Sequence, residues 1–228
     1  MSSMTNDLQV DGPWYPFFCE SLKKRHPFAF SRWGDGEFAC LLKRAGHNCD
    51  GHDYFPLLGD KLGDILMARP EYFIGMQPKA MRDMGDEIND WLMDNRCDDL
   101  AWIGADVFHN ESQIERLSLF FDAVRDREVR AVGPYWMRFM PTDLMQFDLE
   151  PVNEKNCWTQ HDDVLDRIEE RFVANTVILF CCGMMSNVLI DELYKRHGDD
   201  VTLVDMGSVL SPYCGVNNRR YMEKMKCE

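Results

Sequence analysis

An alternation of two hydrophobic periodicities constrains this chain more than any other feature. Six short runs rich in β-branched and aromatic residues stand out: Phe28–Ser31, Tyr72–Met76, Leu100–Gly104, Val129–Val132, Thr176–Cys181 and Val201–Asp205. Between them apolar residues recur at helical spacing. Phe38, Leu41, Leu42 and Ala45 stand at i, i+3, i+4 and i+7, and the pattern returns in Leu58–Leu66, Ile114–Val124, Val164–Phe172 and Leu189–Tyr194. Strands separated by helices pair in parallel through crossovers, so both sheet faces are covered. The pattern predicts a single Rossmann-like α/β domain over residues 1–228, its mostly parallel sheet flanked by helices. Residues 133–160 break the rhythm. Pro134, Pro141, Pro151 and several aromatics make this stretch either an insertion lining a site or a long connection.

Composition narrows the class. Hydrophobic residues are 45% of the 228, enough to bury a core. No apolar run reaches the roughly 18–20 residues of a membrane span. The N-terminal MSSMTNDLQVDG lacks the basic and apolar regions of a signal peptide, so a cytoplasmic location is expected. The nine cysteines are irregularly spaced without a CxxC, which predicts reduced, buried thiols in place of a disulfide framework or a four-cysteine zinc site. His47, Cys49, His52 and Asp53 cluster in AGHNCDGHDY, and this stretch reads as a polar loop in preference to a zinc site. With 25 Lys+Arg against 39 Asp+Glu, the formal charge is −14. That balance disfavours a broad nucleic-acid or acidic-lipid footprint but suits carboxylates holding a divalent cation. No GxxxxGK[ST] loop occurs, which argues against ATPase-like readings. GDGEFA has Ala39 at its sixth position, which weakens a dinucleotide site without closing it.

In parallel sheets ligands gather at the carboxyl ends of strands. After the first run comes Ser31-Arg32-Trp33-Gly34-Asp35-Gly36-Glu37-Phe38. Gly34 and Gly36 permit a tight turn and close approach by a ligand. Free N–H groups opening the helix would suit a phosphate, and Arg32 offers a fixed fork for a diphosphate. Asp35 and Glu37 are two hard oxygen ligands of the kind Mg²⁺ or Mn²⁺ takes, yet both also suit an ordinary helix start. After Thr176–Cys181, Gly183 would let a nucleotide approach, with Ser186 or Asn187 donating hydrogen bonds. After Val201–Asp205 come Asp205, Gly207 and Ser208, with Arg219 and Arg220 returning nearby. An ordinary strand-to-helix turn explains either segment as well. Asp106 and, second to it, His109 are candidate bases, although Asp106 could simply cap a helix. Tyr135-Trp136-x-x-Phe139 could stack on an acceptor or pack in the core.

Strand–Arg-x-Gly-Asp-Gly-Glu, a late Gly-turn helix, and a terminal Asp-x-Gly-Ser…Pro…Gly…Arg together resemble the GT-D type glycosyltransferases. SRWGDGEF is the most specific piece, with Trp33 where Phe or Tyr is commoner, and the match runs from about Phe28 to Arg220. The resemblance implies a metal-dependent transferase using a nucleotide sugar, expected to be a UDP-sugar, with Mn²⁺ or Mg²⁺. It makes Asp35 and Glu37 the metal and diphosphate carboxylates, framed by Arg32, Gly34 and Gly36. Gly183, Ser186, Asp205, Ser208 and Arg219 are carried with them on the donor side, and Asp106 is the candidate base. HNCDGHDYFPLLGDKL has the look of phage-encoded versions, which implies a hydroxymethylated pyrimidine in DNA as acceptor and a glycan as the alternative. Lys23, Lys24, Arg25 and His26, and Arg219 and Arg220 with Lys224 and Lys226, would be the local basic surfaces for DNA. A homodimer belongs to the expected assemblies, and a non-catalytic nucleotide-sugar-binding module is the competing class.

Overall fold

The computed structural model describes residues 14–110 and 114–216. The chain runs α1 (Trp14–Lys24), β1 (Ala29–Trp33), α2 (Asp35–Leu41), α3 (Pro56–Met67), β2 (Phe73–Met76), α4 (Pro78–Asp94), β3 (Trp102–Gly104) and α5 (Val107–Asn110). It continues with α6 (Ile114–Val124), β4 (Val129–Pro134), β5 (Asp148–Val152), α7 (His161–Glu170), β6 (Val177–Phe180), α8 (Met185–His197) and β7 (Thr202–Asp205). The strands form one sheet in the order β3-β2-β1-β7-β6-β4-β5, and every pairing is parallel. The first three strands spread outward to one side of β1, and the later ones fill the other side. The order therefore reverses between β1 and β7, where crossover loops diverge and leave a crevice at the carboxyl edge.

All six expected strands are present, shifted by one or two residues, and the sheet is wholly parallel. The seventh strand, β5, lies inside the segment expected to be irregular. Its sequence, Asp148-Leu149-Glu150-Pro151-Val152, hides it, because a proline loses a ladder donor and two acids interrupt the apolar pattern. At the sheet edge the proline is tolerated. Glu150 is buried there and answered by Arg167 at 2.6 Å. Arg130 of β4 is buried too, donating to the carbonyls of Ile168 and Arg171 at the end of α7.

Two cores cover the sheet. On one face α2, α3, α4, α7 and α8 pack through Phe38, Leu62, Ile88, Val164 and Leu189. On the other, α1, α5 and α6 pack through Phe18, Phe108, Phe120 and Leu117, joined by Met137 and Leu210. Side chains of β1 alternate between them. Ala29 and Trp33 join the first core, whereas Phe30, and with it Arg32, belong to the second face.

The Lys23–His26 cluster ends α1 just before β1 begins, and the Leu22 carbonyl accepts a hydrogen bond from Arg127, two residues before β4. This places the cluster at the amino edge of the sheet, opposite the crevice. Arg219 and Arg220 lie outside the described residues.

Gly75, at the centre of β2 and in register with Arg32, exists because of crowding. A Cβ there would stand 2.9 Å from both the Ala105 Cα and the Phe30 ring. Gly75→Ala is therefore expected to cost about 1–3 kcal/mol through overpacking, read by urea unfolding. An unchanged midpoint would mean that this packing is looser than the structure shows.

Candidate active site

The carboxyl ends of β1 and β7 are joined by one side chain. The Asp205 carboxylate, buried at the tip of β7, accepts the Arg32 backbone N–H at 3.3 Å and the Gly207 N–H at 2.9 Å. From the α8 side the buried Asn187 donates to Ser31 Oγ at 3.0 Å and to the Arg32 carbonyl at 2.7 Å. The main chain around Arg32 is thus held from both neighbours. Its guanidinium is held as well: Nε donates to the Ala105 carbonyl at 2.9 Å, and Nη2 faces Asp106 at 3.8 Å. Gly207 makes room for it. A side chain at Gly207, whose φ is +52°, would collide with the Arg32 guanidinium and stand 3.2 Å from the His109 ring.

On the α2 side, the Glu37 carboxylate turns back to accept the Gly34 N–H at 2.8 Å, one arm of a capping box. One of the free donors expected at the start of α2 is therefore satisfied within the chain. Burial raises the Glu37 carboxyl to about 7; the Gly34 hydrogen bond opposes the rise, and the nearby Asp205 charge adds to it. Burial likewise raises Asp205 to about 6, against the pull of Arg32 and of its two backbone donors. Asp35 points to the α4 side, where its carboxylate pairs with Lys79, which also reaches Asp83 at 3.1 Å. Gln77, at the end of β2, lays its amide over Gly34, with Oε1 2.8 Å from where a side chain would begin.

The structure thus brings together Arg32, Gly34, Glu37, Asp106, Asp205 and the Gly207–Ser208 turn, with Asp35 and Gly36 on the adjoining turn of α2. Gly183 and Ser186 stand differently. The space a Gly183 side chain would need is filled by the His52 imidazole. The Ser186 hydroxyl is buried, meeting the Cys182 N–H at 3.4 Å and its thiol at 3.2 Å, so it closes its own turn. Arg219 lies outside the described residues. His52 also accepts the Asn156 N–H at 2.9 Å, and Asn48 accepts the N–H groups of Asp50 and His52, so the His47–Asp53 stretch is a docked polar loop. Among the described residues no cluster of three or more His, Cys, Asp or Glu could hold a metal ion.

Gln77 and Lys79 join the candidate site without having been singled out as ligand-facing. The signal was there: Gln77-Pro78-Lys79 directly follows β2, as Gly207 follows β7. A groove of about 550 Å³ lies elsewhere, on the first core's face between α3, α7 and α8, lined by Asp60, Asp64, Trp158, His161 and Glu192. It contains none of the residues assembled around Arg32.

The raised carboxyls fix the sign of a pH effect. A carboxyl that binds its proton more tightly when folded contributes stability in full below its unfolded pKa, near 4, and loses it as pH rises through the folded value. For Glu37 and Asp205 that window runs up to about 7 and about 6. Glu37→Gln keeps an acceptor for Gly34 and removes the titration. It should therefore shrink the fall in stability between about pH 5 and pH 8 seen by urea unfolding of the wild type. An equal fall in both proteins would contradict the burial of this carboxylate.

No family model matches the sequence, and no curated protein matches it significantly. Solved structures do match. One is described as "the highly conserved domain of unknown function 1792 has a distinct glycosyltransferase fold": it has a TM-score of 0.62 and 19% identity, over 87% of this chain and 78% of that one. Another, "a new glycosyltransferase (DUF1792) from Streptococcus sanguinis", has a TM-score of 0.62 and 14% identity, over 87% of this chain and 81% of that one. What these likenesses establish is architecture: this chain has the glycosyltransferase fold of the DUF1792 structures.

Proposed function

We propose that the protein transfers a sugar from a nucleotide-sugar donor to a hydroxyl acceptor. The observation that carries this reading is the clamped arginine at the β1–β7 crevice. Arg32 is oriented through its backbone by Asp205 and Asn187 and through its guanidinium by the Ala105 carbonyl. A cation fixed this way at a switch point suits a diphosphate, the leaving group of such a donor. The glycosyltransferase fold of the matched structures agrees with it.

Asp35 and Glu37 are oxygen donors of the kind a divalent cation takes. Asp35 is half-exposed and already bound to a cation, Lys79, while Glu37 is held near Asp205 in a setting that disfavours two negative charges. Two hard carboxylates suit Mg²⁺ or Mn²⁺ where phosphate oxygens and water fill the remaining positions, and here Asp35 would turn from Lys79 to share the cation with Glu37. Asp35 and Glu37 would hold it, and its chemistry there would be to neutralise charge on the diphosphate.

The chain's own residues then do the following. Arg32 binds the diphosphate and stabilises the charge that grows as the sugar–oxygen bond breaks. Gly207 keeps the way to the guanidinium open. Asp106, about a third exposed beside Arg32, takes the proton of the acceptor hydroxyl as its oxygen bonds to the sugar carbon, and the nucleoside diphosphate departs. A UDP-sugar is the proposed donor. For the acceptor, the Lys23–His26 cluster stands at the edge opposite the crevice, and the Arg219–Lys226 cluster lies outside the described residues. Among the described residues no basic cluster borders the crevice, which favours a saccharide hydroxyl over a hydroxymethylated pyrimidine.

A panel of nucleotide sugars with Mn²⁺, offered saccharides and duplexes carrying hydroxymethylated pyrimidines and read by mass spectrometry, tests the reading. A product heavier by one sugar is expected, and no transfer or hydrolysis of any donor would contradict it. Asp35→Ala should lower turnover about 10²-fold, and Asp106→Asn should lower kcat about 10²-fold with donor KM kept. Arg32→Lys should raise donor KM about tenfold, because an ammonium cannot reproduce the fork. Full turnover by metal-free protein in chelator would remove the cation from the scheme.

A further inference from the structure

The turn that follows β4 carries an exposed group the donor site does not use. In the 3₁₀ turn Tyr135–Phe139, Met137 is buried in the second core and anchors the segment, with Met140 just beyond it, while Tyr135 and Phe139 are 60% and 59% exposed. Arg138 lies between the two rings, its guanidinium carbon 4.0 Å from the Tyr135 centroid and 4.6 Å from that of Phe139. It makes no ion pair with an acid among the described residues, although acids outnumber bases 39 to 25 in the chain. A guanidinium held by ring faces keeps its N–H fork free for an anion in the plane beyond the rings.

The position of this group connects it to the crevice. β4 lies three strands from β1, about 14 Å at ordinary strand spacing, and the turn leaves its carboxyl end. It packs against the Pro212–Cys214 turn, where the Cys214 thiol meets the Met137 carbonyl at 3.8 Å. That turn continues the Gly207–Ser208 loop bordering Arg32. Arg32 and the Tyr135–Phe139 turn also share the second face of the sheet.

We propose that Tyr135, Arg138 and Phe139 form the acceptor subsite, and that it takes a saccharide carrying a carboxylate or phosphate beside the ring. This rests on the glycosyltransferase reading above. The C–H-rich face of a pyranose suits the exposed face of Tyr135 or Phe139 that is turned away from Arg138, and the single anionic substituent meets the free fork of Arg138. A polyanion fits less well. One unpaired arginine neutralises one charge, Asp35 and Asp106 border the same edge, and the Lys23–His26 cluster faces away.

The test uses the full-length protein and three probes: a glucuronate-containing tetrasaccharide, a neutral cello-tetrasaccharide, and a tetranucleotide carrying 5-hydroxymethylcytosine. Binding is read by calorimetry and by ligand-detected NMR. The acidic saccharide should bind tighter than the neutral one by about fivefold, as expected for one charge-assisted contact. Arg138→Leu should abolish that preference, and Tyr135→Ala with Phe139→Ala should weaken both saccharides about tenfold. All three side chains are exposed, so the variants should fold, and circular dichroism verifies it. Lys23→Glu with Lys24→Glu should change nothing. The proposal is overturned if no saccharide binds, if the variants bind as the wild type does, or if the tetranucleotide binds more tightly and depends on Arg138. Donor hydrolysis by the wild type, measured separately, tells the two readings apart. If hydrolysis fails, the glycosyltransferase reading falls; if it persists while the saccharide results fail, only the acceptor subsite falls.

Discussion

The Asp205 carboxylate holds together the part of this molecule where its sheet changes direction. Neighbouring strands in a parallel sheet are tied by backbone ladders, but at their carboxyl ends the ladder stops and the chains part. Asp205 extends the tie beyond the last rung by accepting the N–H of Arg32 from β1 and of Gly207 from its own turn. A buried carboxylate is costly unless it is hydrogen-bonded and faces a positive charge, and here both conditions are met by the residues that build the crevice. Removing Asp205 would therefore leave more than a missing ligand. It would free the main chain of Arg32 on one side and leave Asn187 as its remaining polar tether.

Charge is arranged in the fold by edge. The amino edge carries the Lys23–His26 cluster and Arg127, several of them engaged with backbone carbonyls or with an acid. The carboxyl edge gathers Asp35, Glu37, Asp106 and Asp205 around two cations, Arg32 and Lys79. An edge of this kind would attract a metal–diphosphate and repel a bare polyanion. Arg138 stands apart from that arrangement, a cation supported by rings instead of acids.

Much of this architecture was legible in the sequence, because buried parallel strands are short apolar runs and the helices between them keep one apolar face. SRWGDGEF drew attention to the end of β1, and Asp205 to the end of β7 beside it, and the structure joins the two through the Asp205 carboxylate. What escaped reading was set by contacts distant in sequence. Whether Glu37 faces a ligand or caps its own helix depends on where Asp205 lies, 168 residues on. Gly183 looked open to a nucleotide, yet His52 from the polar loop occupies that space. β5 was hidden by Pro151 and its acids, whose partners are supplied by α7. The place of Lys79 just after β2 marked it as lying at a strand end, but its pairing with Asp35 follows from β2 standing beside β1.

The central claim is that the β1–β7 crevice receives the diphosphate. Amide chemical-shift mapping of the full-length protein titrated with UDP and Mg²⁺ tests it most directly. The account predicts the largest shifts at Arg32–Glu37 and Asp205–Ser208, with the Nε–H of Arg32 among them and the Lys23–His26 segment still. Shifts centred on the groove between α3, α7 and α8, with the crevice amides unmoved, would contradict it.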